Sequence, residues 1–205
     1  MRKTIVGVAA AFVLGALCVA LAWFAAGRAE RASAVTPPGK PLWTEVEWPF
    51  LMDQWGKGKA FQCKAADCGI EVNLYLRAKI GFCNCTTGVS DDDELSRVGD
   101  IGIIGGNVAP RAPGRAVTVA WMKGRSRSYA VTSTFPAAES ALEMALNEHC
   151  DAVVATVIVE RGEATALEQP ALDFLASDTV LRWAERTLDC ELISARHVSR
   201  KRGIQ

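Results

Sequence analysis

The sequence predicts an α+β chain: an N-terminal transmembrane helix, then one mostly antiparallel sheet with helices packed on it. Three observations carry that expectation. Residues 4–26 hold no charged side chain; residues 70–82 alternate apolar and mostly polar positions; and downstream segments switch between strand-like and helix-like spacing. The order of segments then reads strands, short helix, hairpin, helix, central strand, helices, which suits a sheet covered by helices.

The 205 residues divide into a signal-anchor or transmembrane segment (1–31), a linker (32–41), an exported cysteine-containing α+β domain (42–195) and a basic tail (196–205). In the first segment, Arg2 and Lys3 precede the apolar run and Arg28 and Arg31 follow it. At 1.5 Å per residue such a helix spans the roughly 30 Å hydrocarbon layer, and the core of a cleaved signal is usually shorter. Length therefore favours an uncleaved anchor, whereas Ala32-Ser33-Ala34 offers a signal-peptidase site. Both alternatives stay open, and both export the domain. The basic start keeps the amino terminus inside. Arginine exceeds lysine and alanine is abundant, as in a GC-rich bacterial genome. The expected location is the bacterial inner membrane, single-pass, with the C-terminal domain in the periplasm. Cys18, inside the apolar run and preceded by Leu17, reads as a packing thiol.

The 23 basic and 23 acidic side chains balance over the whole chain. Residues 1–34 take four bases and one acid with them, which leaves a slightly acidic domain and argues against nucleic-acid binding. After the Pro37-Pro38 linker comes an aromatic run, Trp43, Trp48, Phe50 and Trp55. No fixed interval repeats in it as a stacking surface needs, so a lid over one end of the core is favoured over a ligand platform or a membrane-surface contact.

Residues 61–94 follow. Even positions Ile70, Val72, Leu74, Leu76, Ala78, Ile80 and Phe82 are apolar, the signature of a half-buried strand. Ser90 or Asp91 caps a helix whose first turn holds Asp92, Asp93 and Glu94; the spacing of a calcium loop is absent. Gly99, Gly102, Gly105 and Gly106 end that helix without phosphate-loop spacing. Residues 115–134 read as a hairpin with Val117, Val119 and Trp121 on one face and a turn at Lys123-Gly124. Arg125 and Arg127 flank that turn, where they are solvated or grip an anion.

The spacing of Ala138, Ala141, Leu142, Ala145 and Leu146 predicts a helix over 136–150, with Pro136 in its first turn and His149 at its C-terminal end. Residues 152–159 are continuously apolar and β-branched, as in a central strand. Two helical stripes follow, Leu167, Ala171, Phe174 and Leu175, then Val180, Leu181, Ala184 and Leu188 behind a cap at Ser177 or Asp178. A short strand is expected over 191–198. The tail carries Arg196, Arg200, Lys201 and Arg202 without an acid.

Six cysteines lie beyond the apolar run: Cys63, Cys68, Cys83, Cys85, Cys150 and Cys190. An even number in an oxidising compartment argues for disulfides. The expected pairing joins Cys63 and Cys68 to Cys83 and Cys85, with Cys150 to Cys190 as the third bridge. The rival reading takes Cys63, Cys68, Cys83 and Cys85 as ligands of zinc or copper, although neither short pair has the C-x2-C spacing of a zinc knuckle. No G-x-S-x-G, S-x-x-K or H-E-x-x-H occurs. Two functional readings follow. The first is a membrane-anchored periplasmic accessory or binding domain, stapled by disulfides and without a cofactor, that contacts an envelope protein or a ligand. The second is a thiol-redox or metal-handling protein.

Overall fold

A computed structural model of the chain describes residues 41–82, 84–134 and 137–188. The N-terminal apolar run, the linker, Cys83, Cys190, the strand expected over 191–198 and the basic tail lie outside the described residues.

Eight strands form one antiparallel sheet: β1 (Thr44–Val46), β2 (Lys59–Cys63), β3 (Val72–Lys79), β4 (Asn107–Pro110), β5 (Arg115–Val119), β6 (Met122–Thr134), β7 (Ala137–Glu148) and β8 (Asp151–Val159). Their spatial order is β1-β2-β3-β8-β7-β6-β4, with β5 also paired to β6. The alternating strand expected from residues 70–82 is β3. It lies between β2 and β8, so one contiguous sheet joins the N-terminal hairpin to the C-terminal meander.

Three helices interrupt or follow the strands: a single turn α1 (Ala65–Cys68), α2 (Asp92–Val98) and α3 (Glu168–Leu175). A fourth, α4, covers 178–188. The capping expected of α2 is realised by Asp91, whose carboxylate accepts the Glu94 N–H at 2.8 Å. Helices α3 and α4 pack through Ala171, Leu175, Val180, Ala184 and Leu188 onto Leu74, Leu76, Leu142, Met144, Val153, Ala155 and Val157 of the sheet. The opposite face is covered by residues 48–58 and 84–104, which contribute Trp48, Val89, Leu95, Val98 and Ile104.

Two sequence expectations are corrected here. Residues 137–148 form the central strand β7, not a helix, and pair with β6 on one side and β8 on the other. Ala, Leu, Glu and Met give this segment high helix propensity, but propensity yields to tertiary pairing. Buried on both faces, the strand lacks the clean alternation that would have revealed it. His149 and Cys150 therefore form the two-residue loop of the β7–β8 hairpin, with His149 in the left-handed region, and not a helix end.

The second correction moves the β5–β6 turn from Lys123-Gly124 to Ala120-Trp121, since Val119 pairs with Met122. Gly124 serves another purpose: a Cβ there would fall on the Ala145 carbonyl oxygen of β7. Trp121 does not join the buried Val117 and Val119; it stays 43 % exposed and donates its indole N–H to Glu148 at 2.6 Å.

Candidate functional site

Alternation along β3 sends Leu74, Leu76 and Ala78 toward the helices and Tyr75, Arg77 and Lys79 toward the covering segments. In β7 the same alternation places Glu143 between Ala141 and Ala145 on the covered face. Five charged groups converge there.

Arg77, only 2 % exposed, donates from Nη1 to Asp53 at 2.5 Å, and its Nε lies 3.3 Å from Asp100. Lys79 pairs with the other Asp100 oxygen at 2.8 Å and donates to the Gly99 carbonyl at 3.0 Å. The guanidinium sits 4.9 Å over the Trp48 ring, and the Lys79 ammonium 5.5 Å over Trp55 and 5.6 Å over Phe82.

Glu143 is fully buried. Its Oε1 accepts the backbone N–H groups of Asp100 and Ile101, the latter at 2.6 Å. Gly99 lets the chain cross this carboxylate, because a Cβ there would lie 2.5 Å from the carboxyl carbon. Burial raises the Glu143 pKa to about 8, with the Asp100 charge adding to it, against the two backbone N–H groups and Lys79. A neutral Glu143 leaves the two buried cations facing the buried Asp100 and the exposed Asp53, and the charges balance. Burial pushes the Asp53 carboxyl up, but the Trp55 N–H and the Arg77 guanidinium outweigh it and hold the pKa low.

This arrangement clamps the covering segments to the sheet: Asp53 ties down residues 49–58, and Asp100 with Glu143 ties down 99–101. A cavity of about 130 Å3 lies elsewhere, beside the β1–β2 edge, lined by Phe61, Leu76, Val180 and Trp183 among others.

The arginines expected to be solvated or to hold an anion are instead engaged with Asp92. Arg125 pairs with its carboxylate and donates to the Gly114 carbonyl at 2.8 Å, while Arg127 donates to the Ala112 carbonyl at 3.0 Å and lies 3.7 Å from Asp92. The Gly114 N–H and Arg125 hold the Asp92 pKa below the usual carboxylate range. The tryptophans form no single platform. Trp43 stacks on Phe174 of α3 at 5.1 Å, Trp48 meets Phe50 and Tyr75 edge-on, and Trp55 meets Phe82 at 4.6 Å. They cover different parts of the core, Trp43 on the helical side and Trp48 on the opposite side, and do not form the expected lid over one end.

The four candidate cysteines among the described residues are all bridged, in a pairing other than the expected one. Cys63 bonds Cys68 around the single turn α1, with 6.0 Å between Cα atoms, and Cys85 bonds Cys150 in the β7–β8 loop across 65 positions of sequence. The expected partners fail for a simple reason. Helix α1 folds Cys68 back onto Cys63, while β3 carries the chain to the opposite end of the sheet before Cys85. Cys63, Cys68 and Cys85 are thus not gathered around one point, and Cys83, the fourth ligand of the zinc or copper reading, lies outside the described residues. Among the described residues no group of three or more His, Cys, Asp and Glu is placed to hold a metal ion.

Sequence reasoning singled out none of Asp53, Arg77, Lys79, Asp100 and Glu143. The sequence predicts a half-buried strand over 70–82, and Glu143 falls within the segment expected as a helix, outside its apolar stripe. Only the covering layer, assembled from distant residues, buries Arg77, Lys79, Asp100 and Glu143 and brings the exposed Asp53 to Arg77. No protein-family model matches the sequence, and no curated protein or solved structure matches it either.

Proposed function

We propose that the chain is an exported domain of the bacterial envelope, tethered by residues 4–26, that acts by binding a partner or ligand and not by catalysis. The observation that supports it most is the pair of disulfides, Cys63–Cys68 and Cys85–Cys150, because such bridges persist on the oxidising side of a membrane. The charge-free run of residues 4–26 supplies the route there. The internal use of Asp53, Arg77, Lys79, Asp92, Asp100 and Arg125 in salt bridges supports a structural assignment for these groups over an acid-base one.

The test is a non-reducing peptide map of the full chain taken from membranes, together with a carbonate wash. The expected result is retention in the membrane pellet and peptides joined as 63–68 and 85–150. Free thiols at those four positions with bound zinc or copper would turn the reading to the thiol-redox or metal-handling alternative. A phosphatase fused behind Gln205 that is inactive would overturn export itself.

A further inference from the structure

The cavity of about 130 Å3 beside the β1–β2 edge lies where α4 and the strands beneath it part. Residues directly opposite each other on antiparallel strands share a face, so Lys59 lies with Leu76, and Glu45 with Phe61 and Leu74, on the side that the helices cover. Val180, Ala184 and Leu188 of α4 belong to the core packed on this face. Thr179, Trp183 and Arg186, spaced as one row along the helix, line the cavity over the edge strands instead. There β1 offers the charged Glu45 in place of an apolar side chain.

The lining has two parts. Phe61, Leu76 and Val180 are buried and make an apolar floor, with the partly buried Trp183 beside it. The mouth is polar and carries a net positive charge. Glu45 is neutralised by Lys59 at 2.5 Å. The Arg186 Nε donates to the Arg182 carbonyl at 3.0 Å, and among the described residues no carboxylate pairs with this guanidinium.

Size and charge select one class of occupant. An apolar void of about 150 Å3 holds a benzene ring. Polar groups at the rim of an apolar pocket fix the orientation of what enters it. A guanidinium at the mouth favours a carboxylate, because its planar fork of donors matches the two oxygens.

We propose that this cavity binds a small aromatic carboxylate, with its single ring on Phe61, Leu76 and Trp183 and its carboxylate at Arg186. The proposal rests on the binding reading above and deepens it with a ligand class; it does not depend on how the domain reaches its compartment.

The experiment titrates the full chain, purified in detergent, with 4-fluorobenzoate and follows the fluorine resonance, with empty micelles as the blank. The expected result is saturable binding, about tenfold tighter than that of the cationic 4-fluorobenzylamine and about fivefold weaker in R186Q. T179W fills the mouth from an exposed position and weakens binding by about tenfold or more. R161Q, which removes an exposed charge outside the lining, leaves binding unchanged. A fluorine resonance no different from that in empty micelles overturns the proposal. So does equal affinity for acid and amine, or an affinity unchanged in both T179W and R186Q. Failure here is separable from failure of the reading beneath it. With peptides 63–68 and 85–150 joined and the chain retained in membranes, an acid that does not bind removes this ligand class alone, whereas free thiols with bound metal remove that reading whatever the acid does.

Discussion

The two faces of the sheet are made from alternate residues of the same strands, yet they are covered by opposite means. On one side α3 and α4 lay continuous apolar stripes over Leu74, Leu76, Leu142, Met144 and Val157. On the other, irregular segments and the short helix α2 cover Arg77, Lys79, Glu143 and Thr156 along with smaller apolar clusters. Helices satisfy their own backbone groups and need only apolar contact, whereas loops carry N–H groups that must be met from outside. Glu143 meets two of them and the buried cations hold the carboxylates. Polar fastening is the physical consequence of covering a sheet with irregular chain.

The disulfides sharpen that contrast. Cys63–Cys68 staples a single turn beside the helical face, while Cys85–Cys150 ties the covering segment to the β7–β8 loop. The largest effect is expected from C85S/C150S. Opening a ring of that size costs about 4 kcal/mol by loop-closure entropy, against about 2 kcal/mol for the short ring. Denaturant titration of both double variants, with hydrogen exchange showing protection lost first over residues 84–104, checks it. Protection lost first in α3 and α4 would break the comparison.

Next in size is L142A, which opens a cavity under the helices and costs about 3 kcal/mol, equally at pH 5 and pH 8. An effect that varied with pH would mean that the two faces are coupled and not independent.

The smallest per unit of the variable changed, and the one specific to the loop face, is a slope with pH. The Glu143 pKa stands at about 8 in the folded chain against an ordinary value of 4.5, so the folded state holds a proton that the unfolded state releases. Its contribution is most favourable below 4.5 and declines as pH rises from there to about 8. One proton corresponds to a slope of at most about 1.4 kcal/mol per pH unit. Asp53 and Asp92 titrate below this window, and burial raises Tyr75 to about 12, above it. E143Q keeps an acceptor for the Asp100 and Ile101 N–H groups and should flatten the slope between pH 5 and 8 in chemical denaturation. An unchanged slope would mean that Glu143 is charged when buried.

Much of the scaffold was legible in residue order. Period-2 spacing marks β3, the β-branched run marks β8, Asp91 ahead of three acids marks α2, and two stripes mark α3 and α4. Alternating polarity, a β-branched run, a cap and a helical stripe are each written within a few neighbouring residues, so these signals are local. β7 was not legible, because a strand sealed on both faces and rich in Ala, Leu and Met carries a helix's composition. The charge cluster and the cysteine partners were not legible for a related reason. Whether Arg77 is solvated or Cys85 faces Cys150 depends on which distant segment crosses above it.

Sequence alone therefore determined that most of these strands and helices form, where α2 begins, and that paired cysteines were to be expected, since propensity, periodicity and capping act within a few residues. Tertiary structure decided that residues 137–148 are a strand, that Cys63 meets Cys68 and Cys85 meets Cys150, and that Glu143 is buried beneath Gly99. Those outcomes follow from pairing and burial between segments tens of residues apart, whose free energy no local pattern encodes.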